Sequence, residues 1–144
     1  MNAEFQECLR KGKIKEFSRG RSLVGKELGT AEQDLVDAQD SFKLKKYKWS
    51  TIQAYYSMFH SARALLYSRN FREKSHYCLI VALRQLYVDK KLLPHTIVES
   101  LNRAKTLREN ADYYDQWSKE AAEAVLSSAE EFLSHARKLI VQKS

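Results

Sequence analysis

The stretch AYYSMFHSARALLYSRN, residues 54–70, combines the pattern of a core helix with an unusual number of polar groups. Its apolar residues recur every three or four positions, as expected where one face of a helix is buried. The same stretch carries tyrosine, histidine and arginine side chains, which need hydrogen-bond partners when they are buried. Either these groups form a satisfied structural network, or they line a functional site.

The sequence around this stretch is typical of an all-α protein. All four glycines precede residue 30, the only proline is Pro94, and apolar–polar alternation is nowhere sustained. Residues 12–21 are basic and glycine-punctuated, which predicts a loop. A capping box of Thr96 and Glu99 predicts the start of one helix. Apolar stripes predict six helices, over 2–11, 22–45, 49–69, from about 75 to before DKKLLP, 96–113 and 117–141.

Long helices joined by short turns favour antiparallel neighbours. We therefore expect an up-and-down antiparallel helical bundle of four main helices with shorter accessory helices. The length of 144 residues fits one domain with one core. We expect a single domain over residues 1–144, with an accessory helix and loop in 1–20 and the bundle in 21–141.

Several observations predict a cytoplasmic protein without membrane contact. No apolar run approaches the roughly 20 residues of a membrane-spanning helix. The first residues lack the apolar core of a secretory signal. In a reducing cytoplasm Cys8 and Cys78 are expected to stay reduced, as small buried hydrophobic residues, although the pair could form one disulfide.

Charge and motifs narrow the classes of partner. The formal net charge of +7 favours an anionic partner such as RNA, a nucleotide or an acidic protein, although a solubilising surface explains it equally well. There is no Gly-rich phosphate-binding loop, and the four histidines are too scattered for a metal site. We therefore expect neither a metal nor a cofactor.

A polar seam lies beside the apolar stripe of the third predicted helix. Helical spacing brings four polar residues to one face: Tyr56, His60, Arg63 and Tyr67. Because buried imidazole and phenol groups need partners, such residues cluster wherever two surfaces meet. We interpret the polar seam as structural, facing another helix or a second subunit.

The segment RNFREKSHY places Arg69 at the end of one predicted helix and His76 at the start of the next. Arginine offers a planar, permanently charged fork for phosphate, and histidine exchanges a proton near neutral pH. Together they suffice for RNA cleavage without a metal: one moves the proton and the other stabilises the phosphorane charge. The alternative is that His76 only caps or packs.

The segment LRENADYYDQW forms a second candidate site. Arg108 and Asp112 are neighbours on a helix surface, which predicts an ion pair. The alternative is a nucleotide-binding edge, where Arg108 holds phosphate and aromatic rings stack on a base. The lysine-rich KLKKYKW, residues 43–49, could follow a nucleic-acid backbone or form a solvated turn. The candidates for nucleotide or RNA binding are Asn70, Arg108, Asp112 and Tyr113.

Four segments resemble, in order, the HEPN domains of archaea and bacteria: AYYSMFHSARALLYSRN, KSHYCLIVAL, LRENADYYDQW and EAVLSSAEEFLSHARKLI. The resemblance covers about residues 20–141. It implies a small helical bundle, often a homodimer, and often encoded beside a minimal nucleotidyltransferase in a toxin–antitoxin pair.

The resemblance also bears on catalysis. Active HEPN ribonucleases carry an arginine followed by a polar residue and, after four to six intervening residues, a histidine, a pattern that Arg69, Asn70 and His76 match. In members paired with a nucleotidyltransferase, the motif lies on a later helix. There the matching residues are Arg108 to Tyr113, and Asp112 occupies the histidine position. An ionised Asp112 would repel a phosphate, so the resemblance leaves catalysis open.

Three functions fit these observations. The first is a homodimeric module that binds nucleotide or RNA and acts with a nucleotidyltransferase partner in a toxin–antitoxin-type system. The second is a metal-independent endoribonuclease toxin, with Arg69 and His76 or with Arg108 and a residue of a second subunit. The third is a purely structural dimerisation module.

Overall fold

The structure, a computed structural model, describes residues 1–141 and shows a helical bundle. The elements in chain order are α1 (Ala3–Arg10), β1 (Ile14–Glu16), α2 (Gly20–Lys43), α3 (Tyr47–Tyr67), β2 (Phe71–Glu73), α4 (His76–Leu83), a π-helical turn (Arg84–Val88), α5 (His95–Tyr113) and α6 (Lys119–Val141). The prediction of an all-α bundle is confirmed. Among these helices, none has the length and apolar character needed to cross a membrane.

Helices α2 and α3 pack closely because small residues line their contact. Ser50 and Ser57 of α3 donate hydrogen bonds to the carbonyl oxygens of Ala38 and Ala31 of α2, each at 2.8 Å. All four residues are fully buried. The pairing order, later residues of α3 with earlier residues of α2, shows that the two helices are antiparallel.

Helix α5 also runs antiparallel to α3. Lys48 near the start of α3 pairs with Asp115 just beyond α5 at 3.1 Å. Further along α3, the Tyr56 hydroxyl accepts a hydrogen bond from Arg108 at 2.6 Å. Helix α3 therefore lies between α2 and α5.

Helix α6 closes the bundle against α2 and α3. Gln39 donates to Glu130 at 3.1 Å, and Arg137 pairs with Glu32, so α6 is antiparallel to α2. The core draws large apolar side chains from most helices and from the π-helical turn. The largest fully buried ones include Phe5, Met58, Leu65, Leu66, Leu79, Leu83, Tyr87, Leu101 and Phe132.

Of the two helix-end signals read from the sequence, the one at Asn70 was correct and the one at Thr96 was wrong. Asn70 follows α3 at φ +61°, the left-handed conformation that commonly ends helices, as predicted. The predicted capping box is wrong, because Pro94 is the N-cap of α5 and Thr96 lies inside the helix. Glu99 instead pairs with Arg84 of the π-helical turn. An ion pair between two elements thus takes the place of the predicted capping contact within α5.

The prediction of a loop over residues 12–21 is partly wrong. Within it, β1 pairs antiparallel with β2, with Ile14 opposite Glu73 and Glu16 opposite Phe71. Ile14 is buried. Three-residue strands are too short to show a period of two, so only the long-range pairing reveals them.

The prediction that Cys8 and Cys78 stay reduced is also wrong. Both are buried, as expected, but they form a disulfide with Cα atoms 5.9 Å apart. The bond ties α1 to the first half of α4, across 70 residues of sequence. Disulfides are rare in a reducing cytoplasm, outside hyperthermophiles. The cysteines therefore give no support to the expected compartment.

Candidate functional site

Three helices meet at a buried tyrosine to form the Tyr55 cluster, which we define as Tyr55, His76, Asn102 and Arg108. Tyr55 comes from α3, His76 begins α4, and the other two lie on α5. Ser75 caps α4 by accepting a hydrogen bond from a backbone N–H of its first turn, which fixes the position of His76.

His76 is held on both ring nitrogens. Nδ1 lies 3.4 Å from the Tyr55 hydroxyl, and Nε2 lies 3.1 Å from Oδ1 of Asn102. With its proton on Nε2, the imidazole donates to Asn102 and accepts from Tyr55. Burial raises the pKa of Tyr55 to about 12, so this hydroxyl keeps its proton.

Burial also lowers the pKa of the His76 imidazole below its usual value. The hydrogen bond to Asn102 acts in the opposite direction. Of the nearby charges, Lys105 lowers the pKa and the carboxylates of Glu109 and Glu73 raise it. The net result is an imidazole that is neutral at pH 7 and able to accept a proton.

The shift predicts a dependence of stability on pH. Because the pKa of His76 is lower in the folded than in the unfolded chain, the unfolded chain binds the proton more readily. Folding stability is therefore expected to fall as the pH drops below about 6.5. Urea denaturation at pH 7.5 and 5.5 tests this with His76→Gln, which does not titrate, as the reference. The wild type should lose more stability than the variant, and equal losses would contradict the expectation.

Arg108 is surrounded by aromatic rings. Its Cζ lies 5.7, 5.1 and 5.0 Å from the ring centres of Tyr55, Tyr56 and Tyr113. It donates to the Tyr56 hydroxyl at 2.6 Å, and Asp112 lies 3.4 Å away. Its Nε is buried and has no hydrogen-bond partner among the described residues. The predicted ion pair with Asp112 is present, and the Arg108 side chain is 15% exposed.

Arg69 and Asn70 lie in different surroundings from His76. The Arg69 guanidinium is 4.7 Å from the ring centre of Tyr87, whereas His76 contacts Tyr55 and Asn102. Arg69 and Asn70 line a cleft of about 330 Å³ beside β1 and β2, together with Glu16, Phe17, Ser18 and Phe71. The structure thus gives Arg69 and His76 separate contacts, and brings His76 and Arg108 to the same tyrosine.

The polar seam contacts three elements of its own chain. His60 Nδ1 lies 2.6 Å from a carboxylate oxygen of Glu27 on α2, and Arg63 donates to Glu73 on β2 at 2.8 Å. Tyr56 accepts from α5, as described above, and the Tyr67 ring packs 5.1 Å from that of Phe17. These contacts agree with a structural role, which stays a prediction.

Sequence reasoning missed two members of the Tyr55 cluster. Tyr55 has the spacing of a core residue and is buried like one. Asn102 lies six residues before Arg108, without a motif of its own. No local signal could have found them, because their role depends on contacts between helices. Among the described residues, no group of histidine, cysteine and acidic side chains is arranged to hold a metal ion.

Comparison with known proteins agrees with this fold. "Putative toxin MJ0605" of Methanocaldococcus jannaschii is 32% identical over 111 residues, which cover 76% of this chain and 83% of that protein. "Putative toxin MJ0142" of the same organism is 28% identical, over 92% of this chain and 90% of the relative. An Archaeoglobus fulgidus "UPF0332 protein" is 32% identical, over 76% of this chain and 89% of its own length.

A solved structure and a family model complete the comparison. The crystal structure of TT1696 from Thermus thermophilus matches with a TM-score of 0.69 at 20% identity. The match covers 81% of this chain and 97% of that one, which supports the fold. The model of the HEPN domain family matches residues 26–139, most of the bundle. This chain belongs to the HEPN domain family.

Proposed function

We propose that the chain is a toxin-type HEPN protein that binds a nucleotide or RNA at the Tyr55 cluster. In this proposal it acts in the cytoplasm as a homodimer, together with a minimal nucleotidyltransferase. The names of two relatives support the toxin context. The net charge of +7 favours an anionic ligand.

One observation carries the binding proposal: the Arg108 guanidinium lies among three tyrosine rings with an incomplete set of hydrogen bonds. Arginine offers a rigid fork that matches phosphate oxygens. Tyr113 is mostly exposed beside it and offers a ring face to a base. Asp112, at 3.4 Å, holds the position that a phosphate would take. A phosphate therefore competes with Asp112 for Arg108.

This competition predicts opposite effects for the two members of the ion pair. Arg108→Ala is expected to weaken RNA binding roughly 10- to 100-fold, the usual worth of a charged hydrogen bond. Asp112→Asn keeps the shape of the side chain and removes its charge, so it is expected to strengthen binding. The measurement is fluorescence anisotropy of a labelled single-stranded RNA at low salt.

Arg103→Ala is the matched control, since Arg103 lies exposed on the same helix and its loss removes the same charge. Equal weakening by Arg103→Ala and Arg108→Ala would show that only net charge matters. If the wild type binds neither RNA nor nucleotide at low salt, the proposal is wrong. A dimer that persists without any such binding would favour the purely structural module.

A metal-independent endoribonuclease is the second candidate, favoured by the neutral imidazole of His76 beside the same tyrosine as Arg108. In this candidate, Nδ1 of His76 exchanges its hydrogen bond from Tyr55 for the proton of a ribose 2′-hydroxyl, and the 2′-oxygen attacks phosphorus. The P–O5′ bond breaks and the 5′-oxygen takes the proton back from the imidazolium, while the guanidinium stabilises the negative charge on the phosphoryl oxygens. RNA cleavage by the purified protein in the presence of a chelator tests this. Cleavage should disappear in His76→Ala and in Arg108→Ala, and an inactive wild type would reject the candidate.

The proposed partners need separate tests. Light scattering of the purified chain measures its oligomeric state, and a monomer at micromolar concentration would contradict the homodimer. Co-purification with the nucleotidyltransferase encoded beside it, if the gene has such a neighbour, tests the second partner. We expect the complex to persist in about 0.5 M salt, because salt weakens a specific packed interface less than it weakens attraction between surface charges alone.

A further inference from the structure

Both tryptophans of the chain lie at one end of the bundle, at its surface. Trp49 is in the first turn of α3 and is 51% exposed, and Trp117 is in the connection before α6 and is 47% exposed. Lys48 Nζ lies 5.4 Å from the Trp49 ring centre and 5.7 Å from that of Trp117. We call Lys48, Trp49, Asp115 and Trp117 the tryptophan end.

Two half-exposed indoles beside one cation contribute less to folding stability than buried indoles would. Large aromatic side chains normally bury most of their surface, and neighbouring exposed ones mark interaction sites. The ion pair of Lys48 with Asp115 holds the start of α3 against the residues that follow α5. The rings are therefore positioned by the fold and still present faces to solvent.

The charge around the tryptophan end indicates the kind of partner. Three lysines before Trp49 are exposed: Lys43 ends α2, and Lys45 and Lys46 lie on the turn between α2 and α3. Lys45 is in the left-handed conformation, at φ +61°. The acidic residues within three positions of these lysines or of Trp117 in the sequence are Asp40, Asp115 and Glu120, of which Asp115 pairs with Lys48. Lysine is depleted in the centres of protein–protein interfaces, whereas lysines next to exposed aromatic rings are typical of surfaces that bind single-stranded nucleic acid.

The tryptophan end continues from the Tyr55 cluster along the same pair of helices. Contacts between α3 and its antiparallel neighbour run from Tyr56 with Arg108 to Lys48 with Asp115. On α3, the step from Tyr56 to Trp49 is about 10 Å. Tyr113 lies between, with its ring under Arg108. A short extended strand could therefore contact both places at once.

We propose that the tryptophan end is a base-stacking subsite for single-stranded RNA. Bases stack on Trp49 and Trp117, and the lysines of residues 43–48 contact the phosphates. The subsite rests on the proposed function, because it extends the path of a strand bound at the Tyr55 cluster.

Intrinsic fluorescence tests the subsite directly, since the chain has no other tryptophan. Titration with a 12-nucleotide oligouridylate is expected to quench the emission, because stacked bases quench indole. A duplex RNA of the same length has no free bases to stack and should quench much less. Equal quenching by both would overturn the proposal.

Substitution supplies the second readout. Trp117→Ala is expected to weaken oligouridylate binding roughly 5- to 100-fold, as for other stacking residues, and Trp117→Phe should recover much of the loss. Tyr77→Ala is the matched control, an exposed aromatic residue on α4 that contacts Glu4. Unchanged affinity in Trp117→Ala, or a docked protein partner in place of RNA, would overturn the subsite.

The two proposals fail in different ways. If Arg108→Ala weakens binding while tryptophan emission and Trp117→Ala affinity stay at wild-type values, the subsite is wrong and the proposed function stands. If the oligouridylate quenches the tryptophans but Arg108→Ala binds normally, the subsite stands and the assignment to the Tyr55 cluster is wrong. No binding by the wild type overturns both.

Discussion

Reduction of the disulfide between Cys8 and Cys78 is expected to lower the free energy of unfolding by about 4 kcal/mol. The bond closes a loop across 70 residues of sequence, and a long closed loop removes much of the conformational freedom of the unfolded chain. A change of this size corresponds to a fall in Tm of about 10 °C or more for a domain of this length. Thermal denaturation with and without dithiothreitol measures it.

The control is the double variant Cys8→Ala/Cys78→Ala, which has no disulfide to lose. Its Tm should lie near that of the reduced wild type and should not respond to the reductant. The disulfide also ties α1 to α4, two residues after His76. We therefore expect faster hydrogen exchange in α1 after reduction. A wild-type Tm that is unaffected by the reductant would contradict the expected role of the bond.

Gly20→Ala is expected to destabilise the fold by about 3 kcal/mol, at the upper end of overpacking effects. Gly20 is the first residue of α2 and lies against the end of α3. A Cβ at this position would lie 2.5 Å from the carbonyl oxygen of Tyr67 and 3.1 Å from its Cα. Because these are backbone atoms of a helix, they cannot move aside as a flexible side chain would.

Two other glycines of the same helix are matched controls. At Gly25 and Gly29 an added Cβ would meet no atom within 4 Å. Alanine there should stabilise the helix, by up to about 1 kcal/mol for each position. Urea denaturation of the three single variants compares them directly. A Gly20→Ala variant as stable as Gly25→Ala would show that the two helices do not meet as closely as described.

The helices were predictable from sequence because their signals are local and repeated. Helix α3 was predicted over residues 49–69 and spans Tyr47–Tyr67. The prediction came this close because the stripe of apolar residues extends over about four turns. The two three-residue strands and the disulfide were not predictable, because each depends on residues about 55 to 70 positions apart in the chain. The predicted start of α2 at residue 22 was two residues late, because its first residue, Gly20, has a low helix propensity and its contact with Tyr67 is not visible in the sequence.

In the candidate site, too, local signals were predictable from the sequence and contacts between distant residues were not. His76 and Arg108 were both recognised from the sequence, His76 because it begins a predicted helix shortly after Arg69, and Arg108 because aromatic residues follow it. The sequence paired His76 with Arg69, which is closer along the chain. The structure instead brings His76 and Arg108 to Tyr55, and gives Arg69 the ring of Tyr87.

The sequence by itself determined the helical class, the family resemblance and the residue types able to bind an anion. Periodicity and composition suffice for these, because each is a property of short segments. Only the tertiary structure decided which of those residues share a site. That choice follows from antiparallel packing of α3 with α5, which brings Arg108 against Tyr55 and places the tryptophans at one end. Packing of this kind depends on the side chains of whole helix faces, so no single short motif determines it.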